Sequence, residues 1–293
     1  MKTKSRTKKS IVNARMNLIC YFLTLVVAFF TRKTLLDYLG TEFLGLTGTL
    51  GSLLSFLNLA ELGIGSAIAY VLYKPLFECD ESKINEIISV LGYLYRKIGS
   101  FILLAGLLLS AFLPWIFSNT EIPLSVIYTG FYCYLVSSMF GYFISYKITI
   151  LSADQRNYIV TGFFQLITTI KVILQMTLAY YTRNFYLYFA VELISGLLLS
   201  LLLNHKVYRC YPWLQTDVRT GRELYKEYPE IGKYIKQLFF HKIGGFVQGQ
   251  VLPILIYAFV SLPMVALYTN YTLITQRAVS YTHLRAHETC ADL

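Results

Sequence analysis

The chain has 293 residues, of which 56% are hydrophobic and 14% are charged, and its mean hydropathy is +0.53. Soluble proteins average about a quarter charged residues, so this composition excludes an ordinary soluble domain and indicates a membrane protein. The net charge of +10 would favour nucleic acid as a partner of a soluble protein. In a membrane protein, basic residues set the orientation and attract anionic lipids, so lipids are expected and nucleic acid is not.

Seven apolar segments are long enough to cross a bilayer, since a spanning helix needs about 20 mostly apolar residues. Uninterrupted runs of this length do not fit the alternating pattern of a membrane barrel, and backbone groups in lipid must bond within their own segment. The sequence therefore predicts an all-α, polytopic transmembrane helical bundle. In chain order the segments are 11–31, 44–73, 98–117, 122–150, 158–181, 185–203 and 235–256, and an eighth begins near Leu262.

Basic residues concentrate on alternate connections between these segments. Six precede or open the first span, and eight lie between residues 206 and 242, whereas the alternate loops hold three in all, Arg32, Lys33 and Arg183. The positive-inside rule then places the N-terminus and the even-numbered connections in the cytoplasm. The basic start resembles that of a signal peptide, but no small-residue cleavage site follows the long first run, which predicts a retained span.

The segments divide the chain into five parts. Residues 1–10 form a basic cytoplasmic N-terminus, and residues 11–203 form a first six-helix bundle. Residues 204–234 mix charges with apolar residues at near-helical spacing and predict an amphipathic cytoplasmic linker lying along the membrane. Residues 235–276 start a second bundle. Residues 277–293 contain SYTHLRAHET, which resembles the translated read-through of a sequencing adapter, so we expect an artefactual tail on a truncated gene product.

The motifs of common enzymes and metal sites do not occur in the sequence. It has no Gly-rich phosphate loop ending in GK[ST], no HExxH and no GxSxG. Five cysteines are scattered without paired or metal-like spacing, and the His-x-x-x-His of His283 and His287 falls in the tail. We therefore expect a protein that is not an enzyme and needs neither a metal nor a cofactor.

Glu61 is one of three charged residues well inside apolar segments, where a charge costs about 2.5–3.5 kcal/mol on insertion scales. It lies about 26 Å along its segment, beside Gly63 and Gly65, which permit a kink or a close helix contact. A role in gating and a structural role both fit. Three partners stay open: an ion, a basic side chain such as Arg32, and a helix-packing hydrogen bond.

Lys171 and Glu192 are the other two charges inside apolar segments. Their segments are joined by only a few residues, so the two side chains have similar depths in the membrane. One interpretation is an ion pair that lets both stay buried. The other is that Lys171 faces an aqueous cavity as a cationic contact for an anionic substrate.

Two basic pairs mark the ends of segments. Arg32 and Lys33 close the first span, where they fit either an anchor that snorkels to the interface or a contact for a phosphate group. His241 and Lys242 open the seventh span at the cytoplasmic face. They fit a solvated membrane edge or the cytoplasmic mouth of a substrate cavity.

Four stretches of the sequence carry a family resemblance. They include AELGIGSA within residues 29–76, SADQRNY at 152–158, YPWL at 211–214 and HKIGG at 241–245. Together they resemble bacterial polysaccharide-export flippases of the multidrug/oligosaccharidyl-lipid/polysaccharide superfamily. The likeness covers about residues 10–276.

This resemblance implies two six-helix bundles around a cationic central cavity, related by a pseudo-two-fold axis. It implies alternating access that moves an undecaprenyl-diphosphate-linked oligosaccharide across the bacterial cytoplasmic membrane, driven by a proton or sodium gradient. The glycan would be a repeat unit of O-antigen, capsule or exopolysaccharide, with glycosyltransferases and a polysaccharide polymerase as partners. Arg32 matches the family's basic position at the end of the first span, and Glu61 matches the acidic position of its motif.

The sequence departs from the family in one place and leaves other functions open. Relatives often have an Asp-Asn pair soon after HKIGG, where this chain has GQVLPILI at 249–256, so no ion or substrate role is assigned there. The first alternative is a cation-coupled multidrug exporter of the same superfamily, which would favour an acidic, aromatic cavity. A membrane-embedded polysaccharide polymerase or acyltransferase also fits the hydropathy.

Overall fold

The computed structural model describes residues 6–273 and residue 275. It is 87% helical, and no strand occurs in the part it describes. The predicted all-α fold is therefore confirmed. In chain order the helices are α1 (Arg6–Leu57), α2 (Ile64–Glu78), α3 (Glu81–Ser110), α4 (Leu113–Ile116), α5 (Leu124–Phe143), α6 (Thr149–Ala153), α7 (Asn157–Thr182), α8 (Phe185–Cys210), α9 (Gly221–Glu227) and α10 (Pro229–Phe259).

Six helices in the described part of the chain are long and apolar enough to cross a membrane. The chain is therefore a multi-pass membrane protein. The longest apolar stretch, Phe22–Glu61, has 40 residues. At 1.5 Å per residue it would reach about 60 Å, twice the hydrocarbon core, so it has to contain a break.

Gly40 supplies that break inside α1. Its backbone has φ 88° and ψ 166°, outside the helical region, and glycine reaches such values without the Cβ clash that other residues meet. Before the break, the side-chain amide of Asn13 donates to the carbonyl of Gln155 at one end of the bundle. After it, the carboxylate of Glu42 accepts a bond from the Thr120 hydroxyl at the other end. The two predicted spans, 11–31 and 44–73, thus lie on either side of the break at Gly40.

The second predicted span is bent as well. A 3₁₀ turn, Asn58–Glu61, ends α1, and Gly63 adopts φ +97° before α2 begins. A Cβ on Gly63 would lie 2.9 Å from the Cβ of Leu238 in α10. The expectation that the glycines after Glu61 permit a kink or a close contact is confirmed, because Gly63 does both.

Helix α3 begins far earlier than the predicted span at 98–117. Asp80 caps it by accepting a bond from the Lys83 amide at 3.1 Å, and this bond, with the nearby Lys83 ammonium, lowers the pKa of Asp80. The first turns of α3 contain charged as well as apolar residues. A prediction of spans from apolar runs therefore left them out. Helix α3 ends at Ser110, and the short α4 follows.

Of the linker predicted at 204–234, the ends belong to α8 and α10. The part between these helices, residues 211–228, is called the linker below and packs on this polar first half of α3. The Gln215 amide donates to the side chain of Asn85, and the Asp217 amide donates to the Ser89 hydroxyl, each at 3.0 Å. The Tyr228 hydroxyl then donates to Glu86 at 2.6 Å. The linker was expected to lie along the membrane, and in the structure it lies along α3.

The basic connections lie together at one end of the bundle. Asn13 of α1 forms hydrogen bonds with the turn at 154–156 and with the start of α7 that follows it. The Tyr211 hydroxyl from the linker donates to Asp154 in the same turn. At the opposite end, the Ser125 and Tyr186 hydroxyls bond at 2.9 Å, which places the starts of α5 and α8 side by side. The N-terminus and the even connections therefore share one end.

The beginning of the predicted eighth span is helical over 262–273. It crosses the second half of α1 so closely that a Cβ on Gly45 would lie 2.1 Å from the Leu262 carbonyl oxygen. Small residues allow such approach in membrane bundles. Residues 277–293, predicted to be an artefactual tail with His283 and His287, lie outside the described residues.

Candidate functional site

Glu61 is bound by two tyrosine hydroxyls. Tyr95 of α3 donates to Oε1 and Tyr142 of α5 donates to Oε2, both at 2.7 Å. Tyr142 also reaches the side-chain carbonyl of Asn58 at 3.2 Å. No ion pair among the described residues includes Glu61. Of the three partners left open, the structure contains the helix-packing hydrogen bond, because the carboxylate joins α3 and α5 to the bend before α2.

The Glu61 cavity, defined here as the space lined by Glu61, Tyr95 and Tyr142, has a volume of about 550 Å³. It is unusually rich in hydroxyl groups for the interior of an apolar bundle. Glu61 is the one charged side chain among its described lining residues. The hydroxyl-bearing side chains beyond the two tyrosines are Ser66, Ser138, Ser145, Tyr146, Thr149 and Ser152.

Lys171 and Glu192 form an ion pair, which was one of the two interpretations of these charges. Lys171 Nζ lies 2.9 Å from Glu192 Oε1, and the side chains are 20% and 18% exposed. The Gln175 amide donates to the second carboxylate oxygen at 3.2 Å. The pair also lines a cavity of about 420 Å³ between α5, α7 and α8, so the two interpretations are compatible.

Arg32 lies in a third cavity, of about 350 Å³, between α1, α5, α7 and α8. Its guanidinium donates to the Thr269 hydroxyl at 3.1 Å, and no ion pair among the described residues includes it. Gln165 and Thr169 face the same cavity. This cavity therefore presents a half-buried cation and several hydrogen-bonding groups, a combination that suits an anionic ligand.

The Lys171 cavity adjoins each of the other two. The Glu61 cavity and the Lys171 cavity share Ser138, Gly141 and Ser145, and the Lys171 and Arg32 cavities share Thr168. A row of neighbouring cavities, each lined by apolar as well as polar side chains, thus leads into the bundle from the end that carries the basic connections. Along it, the described charges run from acidic through a neutral ion pair to basic.

The other predicted site residues are more peripheral. Lys33 is exposed and does not line the Arg32 cavity among its described residues, which fits an interfacial anchor. Lys242 is exposed and donates to the Ser66 hydroxyl at 2.8 Å, which places it at the rim of the Glu61 cavity. His241 is exposed beside it.

Several polar residues of the interior were not identified from the sequence. Tyr95 and Tyr142 were not singled out, since tyrosines near span ends usually form interfacial belts. Lys147 is buried, with its ammonium beside the Tyr208 hydroxyl and 4.4 Å from the centre of that ring. The sequence placed Lys147 in a cytoplasmic connection, and nothing in its local pattern indicated these contacts.

Comparison with known proteins leaves the family open. No family model, curated protein or solved structure matches the chain. Within the described residues no group of three His, Cys, Asp or Glu could hold a metal ion.

Proposed function

We propose that this chain is part of a flippase that moves a polyprenyl-diphosphate-linked oligosaccharide across a membrane by alternating access, without chemical change to its cargo. The observation that carries the proposal is the row of adjoining cavities, each with a charged side chain in its lining, inside a multi-pass bundle. Charged residues inside a membrane-spanning bundle are costly, and they usually serve a substrate or an ion.

Arg32 is the group best suited to the diphosphate. Its guanidinium is half-buried in its cavity and has no carboxylate partner among the described residues. A phosphate group would compensate that charge and could accept two parallel hydrogen bonds from the guanidinium. Lys171, already paired with Glu192, would add a weaker attraction for the anion.

The surroundings of the proposed flippase follow from the family resemblance and from the charge asymmetry. We place it in the bacterial cytoplasmic membrane with its N-terminus in the cytoplasm, because its basic connections share one end of the bundle. A proton or sodium gradient would drive the cycle. Glycosyltransferases would supply the lipid-linked glycan, and a polysaccharide polymerase would consume it.

The test is complementation of a flippase-deficient bacterial strain with the full-length gene, scored by surface glycan. Arg32→Gln should reduce surface glycan about ten-fold or more, since one lost charged hydrogen bond is worth about 1.5–3 kcal/mol. The matched control is the neighbouring Lys33→Gln, which should leave export unchanged. Unchanged export by Arg32→Gln at equal protein abundance would remove Arg32 from substrate binding, and failure of the wild-type gene to complement would count against the proposed function.

A cation-coupled multidrug exporter is the second candidate, and the Glu61 cavity favours it. A carboxylate between two tyrosine rings, whose centroids lie 5.5 Å apart, is suited to a lipophilic cation. Expression of the full-length gene in a drug-sensitive strain should then raise resistance to tetraphenylphosphonium, and Glu61→Gln should abolish the gain. Unchanged sensitivity would argue against this candidate.

A further inference from the structure

We propose that the Glu61 cavity is a saccharide subsite that accepts uncharged and amino-bearing sugars and rejects uronic acids. The inference rests on the proposed function and adds to it the class of sugar that the carrier would select.

The lining of the Glu61 cavity matches the hydrogen-bonding needs of a sugar. Each hydroxyl group both donates and accepts, as a sugar hydroxyl does, and the Glu61 carboxylate accepts only. Each Glu61 oxygen receives one tyrosine hydroxyl, so lone pairs remain for further donors. A ligand without hydroxyl or amine donors would leave these groups unpaired, which is costly in a desolvated site.

The charge of the cavity supplies the selectivity. Glu61 is the one charged side chain among the described lining residues, and Lys242 bonds to Ser66 at the rim. A uronate carboxylate beside Glu61 would meet no basic side chain among the described lining residues, since Lys242 lies at the rim, and like charges placed together at an interface cost several kcal/mol. An amino sugar would instead gain a charged hydrogen bond with Glu61.

The shape of the cavity leaves room for a ring. Its volume of about 550 Å³ lies within the range of about 300–1,000 Å³ usual for small-molecule pockets. Tyr95 and Tyr142 meet edge to face at an interplanar angle of 74°, which makes a rigid wall. Gly141 borders open space, because a Cβ built on it meets no atom within 4 Å.

The location of the cavity suits the loading of a glycan. It is lined by Thr149 and Ser152, which lie just before the turn at 154–156. That turn belongs to the end of the bundle that carries the basic connections. The Arg32 cavity lies beyond the Lys171 cavity, so the sugar and the diphosphate would occupy different cavities of one row.

Binding of simple glycosides to the purified 293-residue chain in lipid nanodiscs tests the inference. The probes are the methyl glycosides of N-acetylglucosamine, glucosamine and glucuronic acid, followed by saturation-transfer NMR. We expect the wild type to bind the first two and to bind the glucuronide at least about ten-fold more weakly. Glu61→Gln should bring the three affinities together. Equal binding of all three by the wild type, or an unchanged preference in Glu61→Gln, would overturn the inference.

A second variant keeps the test informative if Glu61→Gln does not fold. Gly141→Val places two methyl groups in open cavity space and should weaken binding of both accepted glycosides. Gly51→Val is the matched control, because Gly51 also has nothing within 4 Å of a built Cβ but does not line the cavity among its described residues. Equal binding by the two valine variants would place the sugar elsewhere and overturn the inference.

A separate probe distinguishes failure of the subsite from failure of the proposed function. Citronellyl diphosphate, a short isoprenyl diphosphate without sugar, should bind the wild type and Gly51→Val equally and bind Arg32→Gln more weakly. Loss of sugar selectivity with diphosphate binding intact would overturn the subsite alone. Selective sugar binding without any diphosphate binding would support the subsite and count against a diphosphate-linked cargo.

Discussion

Glu61 shows how a bundle can keep a carboxylate in its interior with no basic partner among the described residues. Two tyrosine hydroxyls, each 2.7 Å from a carboxylate oxygen, replace the solvation that the charge loses. Bonds from a hydroxyl to an ionised oxygen are roughly twice as strong as neutral ones. The presence of a costly charge could be predicted from the sequence. Its partners could not, because Tyr95 and Tyr142 lie 34 and 81 residues away.

Removing one of these hydroxyls should destabilise the protein. Tyr142→Phe leaves one Glu61 oxygen without its protein donor, and we expect a loss of about 1–3 kcal/mol in unfolding free energy. Tyr132→Phe on the same helix removes a bond to the Ser110 hydroxyl and is the matched control, expected to cost about 0.5–1.5 kcal/mol. Thermal unfolding in detergent, followed by tryptophan fluorescence, measures both. Equal losses in the two variants would mean that Glu61 does not depend on Tyr142.

Lys171 and Glu192 were easier to anticipate, since a short connection fixes the relative depth of two neighbouring spans. Lys171→Met should leave Glu192 buried with Gln175 as its remaining partner. Loss of one partner of a buried ion pair costs about 3–5 kcal/mol, and replacing both by apolar residues costs less. The double variant Lys171→Met with Glu192→Met should therefore unfold at a higher temperature than Lys171→Met alone.

The control for this pair is Lys74→Met, which breaks an exposed contact to Glu78 at 3.9 Å. Exposed pairs of this kind contribute little, so its midpoint should stay close to that of the wild type. A double variant less stable than Lys171→Met would contradict the expectation that unpaired Glu192 destabilises the single variant. A stable Lys171→Met that no longer exports glycan would instead assign Lys171 to the substrate.

At the level of the elements, Gly63 decides how the second span is bent. Its φ of +97° is outside the range that other residues adopt readily, and Leu238 of α10 lies against it. Gly63→Ala combines backbone strain of about 1–2 kcal/mol with a clash at 2.9 Å. We expect a clearly lower unfolding midpoint and a shifted contact between α2 and α10.

The matched control is Gly244→Ala in α10, where a Cβ meets nothing within 4 Å. Alanine in a helix interior is favoured over glycine by about 0.5–1 kcal/mol, so this variant should be neutral or slightly more stable. Unfolding midpoints of the two variants in the same detergent give the comparison. A midpoint for Gly63→Ala equal to that of Gly244→Ala would show that the bend adapts without strain.

Hydropathy alone did not predict where α3 begins. Apolar periodicity predicted a span from residue 98, yet the helix begins at Glu81, because the preceding turns bury their apolar side against the linker instead of against lipid. The existence of the linker was readable from its mixed charges. Its position was not, since Ser89 and Asp217 are 128 residues apart.

At the level of the whole molecule, the two ends of the bundle can be assigned to opposite sides of the membrane. Cys79 is exposed in the turn between α2 and α3, on the end that shares the basic connections. With the N-terminus in the cytoplasm, a membrane-impermeant maleimide should not label Cys79 in intact cells. Asn119→Cys, on the opposite connection, should be labelled, and both should react after the cells are opened. The reverse pattern in intact cells would invert the orientation.

The anchoring of Tyr228 to Glu86 has a mechanical consequence. Helix α10 starts at the next residue, Pro229, and its 31 residues extend about 46 Å from that fixed point to the stacked rings of Tyr257 and Phe117. A tilt of α10 about Tyr228 would move its near end little and its far end most. Helix α10 would then turn about the Tyr228 hydroxyl, so the contact between the linker and α3 would set how far Tyr257 can move.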